Sequence, residues 1–455
     1  MIKTIKWHDY KVLKDLELDF NNHQNNKIFN TIILAGENGT GKSTILNSLA
    51  TFLNAGTFEP FAEIIYNTDE NSYKLYKNED NPVIHMRQDL NNGGASSKNN
   101  NMDRISNDKE DIRYYGVQYS RAKSGFNTAP VRTIMTSQLD DSKYFNDDSD
   151  DYTNIKQLIV DIDSQDDKLC HKELMTRKTL KDEEFEPICK MIRFKRAFNN
   201  FFENIKFIGI DDENRDEKRI IFEKHGDIIS IDELSTGEKQ IVFRGAQMLR
   251  NMNNIQGGLI LIDEPELSMH PKWQEKILKF YKDLFTDVNG NQNVQMIITT
   301  HSDYVIKSAL EDTNNNLIII LNDNNGTIEP NYIASPCILP IITSAEVNYL
   351  AFGICSIDYH AQLYGYLQNK IAHKESTAEC SVKHCDDYIA QSQLYNNNYA
   401  FQSHYTSPIT HHTTTYNTLP TYIRNKIDHP DFKTSFSKSQ LESSIEFLRQ
   451  LCQLP

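Results

Sequence analysis

The sequence predicts an α/β protein built on a parallel sheet, interrupted by a helical insertion and followed by a small all-α domain. Three observations carry this reading. A glycine-rich segment, "GENGTGKST" (Gly36 to Thr44), follows the strand-like run "IFNTIILAG" and opens a helix. Two further apolar runs, "GGLILIDEP" and "VQMIITTHS", are short and separated by helical stretches, the pattern of a βα layer fold. From about Ile341 onward there is no further strand-like core run, and the chain reads as helical.

Each element follows in order. "MIKTIKWHDYKVLKDLELDF" alternates apolar and polar residues in two short runs, which predicts a β-hairpin. The buried strand, the glycine loop and its helix come next. From about Glu59 to Asn200 the character changes: "NNGGASSKNNN" and "NDDSDDYTN" are polar and of low complexity. Between and after them, "IKQLIVDIDS" and "FEPICKMIRFKRAFNNFF" have the spacing of amphipathic helices, so residues 59–200 are expected to form a helical lobe. Strands return at "IKFIGID" and "RIIFEKHGDIISI", and "NLIIILNDNNGTIEPNYI" reads as a hairpin turned by Asn-Asn-Gly. A boundary is expected near Pro336 to Pro340, dividing the chain into domains 1–335 and 336–455.

Composition narrows the class. With 455 residues, 38% of them hydrophobic, the chain can bury two or three cores. A net charge of −15, from 48 basic and 63 acidic residues, argues against broad binding to nucleic acid phosphates but leaves room for a local basic cleft. Seven cysteines without a C-x-x-C pair indicate neither a disulfide framework nor a zinc ribbon, and a reducing cytosol fits them. No run reaches the length of a membrane span, and the first residues lack the apolar core of a signal peptide, so no membrane role is expected.

The glycine-rich loop has a chemical meaning in its strand-to-helix context. Its N–H groups and the helix N-terminus cradle phosphate oxygens, which nominates Gly36, Asn38, Gly39, Gly41, Lys42, Ser43 and Thr44 as nucleotide-binding residues. Lys42 is placed to meet the β- and γ-phosphates and Ser43 to ligate Mg²⁺, so ATP and Mg²⁺ are the expected ligands. In "LILIDEPELSMHP", Asp263 ends an apolar strand and is placed to hold the Mg²⁺ shell, with Glu264 beside it to orient or deprotonate the attacking water.

"ELSTGEKQ", with Leu234, Ser235, Gly237 and Gln240, resembles the signature motif of ABC-type ATPases, and "TTHS" puts His301 where that class carries its switch histidine. The resemblance covers roughly residues 1–330, apart from the insertion. It implies an ABC-type P-loop ATPase fold and a head-to-tail homodimer, in which Ser235 and Gly237 of one subunit close over ATP held by the other. It also implies a Q-loop glutamine that senses Mg²⁺, for which Gln118 at the end of "RYYGVQY" is the candidate. The adenine-stacking aromatic is not identifiable; Trp7 and Tyr10 serve equally well as core. "PELSMHP" after the acidic pair resembles the branch of SMC-like and abortive-infection ATPases more than transporter subunits.

Near the end, "RNKIDHP" matches the R-x(4 to 6)-H pattern of HEPN ribonucleases, and the resemblance spans roughly residues 341–455. The fusion resembles PrrC-like and RloC-like anticodon nucleases. Ile423 and Ile427, four apart, can bury one stripe of a helix, and Pro430 ends that helix at His429. His429 would serve as general acid or base toward a ribose 2′-OH, Arg424 would stabilise the phosphorane, and Asn425 would fix geometry. Glu346, with Asp358 as the other candidate, would supply a third polar group. The resemblance implies pairing of two such domains, an RNA substrate such as tRNA, and metal-independent cleavage; a regulatory or antitoxin partner and assembly beyond the dimer stay open. The plainer alternative is an i, i+4 ion pair between Arg424 and Asp428, with His429 a charge at the helix end.

The whole reading is an ATP-regulated ribonuclease toxin of bacterial antiphage defence. The alternative is an SMC-like DNA-end ATPase with a non-catalytic C-terminal interaction domain. A Toprim-bearing nuclease finds no matching acidic cluster after His301. In "HKESTAECSVKHC", His373, Cys380, His384 and Cys385 match no familiar zinc spacing.

Overall fold

A computed structural model describes residues 1–23, 25, 27–68, 71–78, 84–122, 144–146, 153–177, 189–211, 217–250, 255–287, 290–333, 337–406, 411–429 and 436–454. Pro336, Pro430 and most of "NDDSDDYTN" lie outside them. The chain divides into two compact units, Met1–Ile333 and Ala334–Pro455.

The first unit is organised by a seven-stranded sheet. Its order is Tyr144–Asn146, Val117–Ser120, Leu259–Asp263, Gln295–Thr300, Thr31–Gly36, Asn316–Asn324, Thr327–Ile333, parallel except for the last strand. The three central strands are buried at every position, as expected where both faces are covered. In this register Asp263, Thr299 and Leu34 share one row, so the acidic strand and the histidine strand finish level with the glycine loop.

On one face, helix Lys42–Leu53 presents Ile45, Leu46, Leu49 and Phe52 to a core that includes Leu34 and Leu261. The same core takes Ile5, Trp7, Leu18, Phe61 and Ile64 from a second, antiparallel sheet ordered Glu17–Asp19, Ile2–Trp7, Phe61–Asn67, Ser72–Lys77, His85–Asp89, Ala95–Lys98. The expected N-terminal hairpin is therefore part of a larger sheet. Trp7 is fully buried and donates its indole N–H to Ser48 Oγ at 3.1 Å, which makes it a core residue.

This second sheet corrects the expected insertion. Four of its strands lie between residues 61 and 98, where a helical lobe was expected. "SYKLYK" and "HMRQD" alternate buried and half-exposed positions, so their polar face reads as low-complexity sequence although the other face is core. Among the described residues of this stretch, the α-helices are Met102–Ile105, Thr153–Arg177 and Lys190–Phe201. The last helix buries Phe194, Phe198 and Phe201 against Phe207, Phe222 and Phe280. Cys170 and Cys189 are joined as a disulfide, a pairing the scattered cysteines did not announce.

The second unit holds helices Ser344–Phe352, Ile357–Lys374, Val382–Gln391, Leu419–Asp428 and Lys438–Gln453 around a core of Tyr359, Leu363, Leu367, Ile423, Ile445 and Leu448. It is not all-α. Ala400–Thr406 and Thr413–Thr418 pair as an antiparallel hairpin, and Phe401 of that hairpin stacks on Tyr422 with ring centroids 4.1 Å apart. Threonine-rich, half-exposed strands of this kind lack the apolar run that announces a core strand.

Candidate active site

The glycine loop is shaped by backbone angles that side chains resist. Gly39 and Gly41 have φ of 87° and 86°, the left-handed region that glycine occupies at no steric cost. A Cβ on Gly41 would lie 2.4 Å from Leu13 Cδ2, and one on Gly36 would lie 2.3 Å from the Leu321 carbonyl oxygen. Gly41 caps helix Lys42–Leu53, so the loop delivers that helix's free N–H groups to one point. Lys42 Nζ donates to the carbonyls of Gly36 at 2.9 Å and Glu37 at 2.8 Å. Burial lowers the Lys42 ammonium from 10.5 to about 8, against the opposing pull of Glu264, Asp263 and Glu266.

Residues from two other segments meet at Asp263. Ser43 Oγ donates to Asp263 Oδ1 at 3.1 Å, and Thr299 Oγ1 donates to the same oxygen at 2.5 Å. The hydroxyl and carboxylate form an all-oxygen set of the type Mg²⁺ takes when substrate phosphates complete its shell, so these residues fit the expected cofactor. Among the described residues no cluster of three or more His, Cys, Asp or Glu could hold a metal on its own.

Glu264 carries the strain at this site. Its φ is +45°, an uncommon conformation for a residue with a Cβ, and its N–H donates to Thr299 O at 3.2 Å and Oγ1 at 3.1 Å. His301 Nε2 stands 3.2 Å from Glu264 Oε1, and this hydrogen bond, more than any other influence, holds the Glu264 carboxyl below its usual range. Glu266, buried, accepts from Thr300 Oγ1 at 2.6 Å and from the His301 N–H at 2.9 Å, so it fixes the backbone that presents His301. Desolvation pushes its own carboxyl up.

The signature segment begins helix Thr236–Leu249 with a capping box. Ser235 N donates to Glu238 Oε2 at 2.7 Å, and Glu238 N donates to Ser235 Oγ at 3.4 Å. Glu238 is buried and paired with Lys224 at 2.9 Å, whereas Ser235 is exposed at the helix tip. Gly237 is packed beneath it; a Cβ there would lie 3.0 Å from Ser268 O and from the Trp273 ring.

Gln118 is not brought to this cluster. It pairs in register with Ile260, three residues before Asp263, or about 10 Å along the strand. Its side chain donates to Gln247 O at 3.5 Å instead. Two residues missed in the sequence sit where it was expected to act. Thr299 bridges Asp263 and Glu264, and Arg244, buried on the signature helix, donates to the carbonyls of Asp263 at 3.1 Å, Glu264 at 3.2 Å and Arg121 at 2.8 Å. Arg244 lies just beyond the motif letters, and nothing in its spacing distinguishes it from an ordinary helix arginine.

In the second unit, helix Leu419–Asp428 carries the terminal motif and is anchored by Asp386. That buried carboxylate accepts from Asn417 N at 2.9 Å, Thr418 N at 3.1 Å and Thr418 Oγ1 at 2.7 Å. Arg424 forms the plainer i, i+4 pair with Asp428 at 2.7 Å and donates to Asn425 Oδ1 at 3.1 Å. Asn425 is buried, and its Nδ2 has no partner among the described residues. His429 caps the helix and stacks on Tyr405 of the hairpin, ring centroids 4.7 Å apart. Glu346 is engaged elsewhere: its Oε1 accepts from Ile338 N at 3.0 Å, Leu339 N at 3.3 Å and Tyr359 OH at 3.3 Å, the work of a buried structural carboxylate. His384 pairs with Glu375 at 2.8 Å, and Cys385 is buried.

A glycine phosphate loop, an acidic strand end and a histidine strand end on one parallel sheet define a P-loop ATPase. The chain belongs to the family described as "AAA domain, putative AbiEii toxin, Type IV TA system", whose model matches residues 61–307. It is similar to the Retron Vc95 probable ATPase of Vibrio cholerae serotype O1 biovar El Tor, at 24% identity over 68% of this chain and 72% of that protein. It is also similar to the Septu protein PtuA of Bacillus thuringiensis, at 23% identity over 68% of this chain and 74% of that protein. The crystal structure of an SmcHead bound to the C-winged helix domain of ScpA aligns over 73% of this chain and 98% of that one, with 14% identity and a TM-score of 0.40. No helix among the described residues is long and apolar enough to cross a membrane.

Proposed function

We propose that this protein is an ATP-hydrolysing switch of bacterial antiphage defence that closes as a head-to-tail dimer over two nucleotides. The observation that carries the reading is the Glu264–His301 contact at 3.2 Å beside the Ser43–Asp263 contact at 3.1 Å: a water-activating pair next to a Mg²⁺-type oxygen pair. The loop N–H groups and Lys42 bind the phosphates. Bound Mg²⁺ would neutralise phosphate charge, held by Ser43 and Asp263. Ionised Glu264 orients the attacking water and takes its proton, while His301 steadies the carboxylate. Ser235, exposed at the helix N-terminus with Gly237 packed beneath it, closes on the nucleotide held by a second copy. Similarity to proteins named for retron and Septu systems supports the defence setting. Phosphate release measured for the wild type, Lys42→Ala and Glu264→Gln tests the reading; hydrolysis surviving in both variants contradicts it.

The C-terminal unit is read second as a HEPN-like, metal-independent endoribonuclease acting on tRNA or other unpaired RNA, paired through the same dimer and gated by its nucleotide state. The buried, unpartnered Nδ2 of Asn425 between Arg424 and His429 favours it, since such a donor points to a ligand. Arg424 must exchange Asp428 for phosphate in this reading. Incubation with total tRNA, scoring new 5′-OH ends, should give cuts that vanish in Arg424→Ala and His429→Ala. DNA-stimulated ATP hydrolysis without RNA cleavage would instead support a DNA-end ATPase.

A further inference from the structure

The buried guanidinium of Arg244 satisfies three main-chain carbonyls and forms no ion pair among the described residues. Its Nη1 reaches Asp263 O at 3.1 Å and Glu264 O at 3.2 Å, and its Nη2 reaches Arg121 O at 2.8 Å. Burying an arginine without a direct carboxylate partner is costly, and two of the three carbonyls it satisfies belong to Asp263 and Glu264. That segment is strained: Glu264 has φ +45°, a conformation that costs an ordinary residue on the order of 1–3 kcal/mol unless its surroundings enforce it. Thr299 holds the Glu264 N–H and Arg244 holds the Glu264 carbonyl.

We infer that Arg244 is a positioning residue that ties the geometry of Glu264 to the placement of the signature helix, and so links the two nucleotide sites of a dimer. The inference rests on the ATPase reading above. Arg244 lies nine residues after Ser235 on helix Thr236–Leu249, about 13 Å along a rigid rod. The tip of that rod, exposed Ser235, would dock on the partner's nucleotide, while its middle grips the backbone of the water-activating glutamate in its own subunit. A small shift of the helix on docking therefore moves or secures Glu264. The fork of an arginine can hold both sites, Asp263 with Glu264 on one side and Arg121 on the other; a lysine offers one point charge.

The test compares wild type, Arg244→Lys, Arg244→Met and Glu264→Gln for MgATP affinity by fluorescent nucleotide titration, steady-state hydrolysis and melting temperature. Arg244→Lys should keep nucleotide affinity within about 3-fold and lose turnover by about 100-fold, the scale of a 1 Å misplacement. Its dependence of rate on ATP should also flatten from a Hill coefficient approaching 2, the number of sites, to about 1. Turnover and Hill coefficient like those of the wild type in Arg244→Lys overturn the inference and leave the ATPase reading standing. Equal losses of melting temperature and nucleotide affinity in both Arg244 variants assign it a structural role only and also overturn it. Absence of hydrolysis in the wild type itself overturns the ATPase reading, and this inference with it.

Discussion

His301 Nε2 lies 3.2 Å from Glu264 Oε1, and this contact leads the causes that hold the Glu264 carboxyl below its usual range. A carboxyl with a depressed folded pKa stays ionised to lower pH than a free glutamate of about 4.3. Its stabilising contribution is therefore present above the unfolded value and lost as pH falls through the folded one. His301→Ala removes the hydrogen bond, so the acid limb of the hydrolysis profile should move to higher pH and the rate should fall by about 10-fold or more. A pH–rate profile of both proteins checks this; an unmoved acid limb contradicts the role given to His301.

Lys42 gives a proton-linked signature. Its folded value of about 8 lies below the 10.5 of the free side chain, through burial. Between those values the unfolded chain binds more protons, so stability from this group rises with pH across that window, and at pH 7 the buried ammonium is a cost. Phosphates that pair with the ammonium raise its pKa, and MgATP binding should take up roughly half a proton at pH 8 and almost none near pH 6. Calorimetry in buffers of different ionisation enthalpy measures that uptake directly, and Lys42→Ala should abolish it with most of the affinity.

Thr299→Val keeps the volume and removes one hydroxyl that donates to Asp263 and accepts from the Glu264 N–H. Loss of such an outer contact to a metal ligand typically costs 10- to 100-fold in affinity or rate. The expected result is a rise in the Mg²⁺ concentration needed for half-maximal hydrolysis, with the fold intact by circular dichroism.

Asp386→Ala tests the anchor of the terminal helix. Three donors from Asn417 and Thr418 would lose a buried carboxylate, which predicts a loss of about 3 kcal/mol. Asp386→Asn retains an acceptor oxygen and should lose less. Denaturant unfolding of the full chain, followed through the tyrosines of the second unit, separates the two.

The phosphate loop was legible because its chemistry demands particular residues at fixed spacing, and Gly39, Gly41, Lys42 and Ser43 stand where a backbone cradle needs them. Asp263, Glu264 and His301 were legible because parallel strands announce their carboxyl ends by a break in an apolar run. What escaped the sequence depends on tertiary pairing. "SYKLYK" and "HMRQD" bury one face only and "ASSK" is largely exposed, so they carry polar letters that periodicity cannot separate from loop. Strand Ala400–Thr406 of the C-terminal hairpin is no more than half-buried at any position. Gln118 was the candidate for the glutamine that the ABC-type resemblance implies, at the end of "RYYGVQY", but register sets it beside Ile260, three residues before Asp263, and Arg244 became visible only when the helix was seen against the Asp263–Glu264 carbonyls.

The proposed nucleotide sandwich forms between two copies of this chain. Glu264→Gln, which should bind MgATP without hydrolysing it, can be sized by light scattering with and without nucleotide, beside Ser235→Arg in the same background. The account predicts a doubling of mass with MgATP in Glu264→Gln alone and no change in the Ser235→Arg double variant. An identical mass with and without MgATP, or doubling that survives Ser235→Arg, would contradict it.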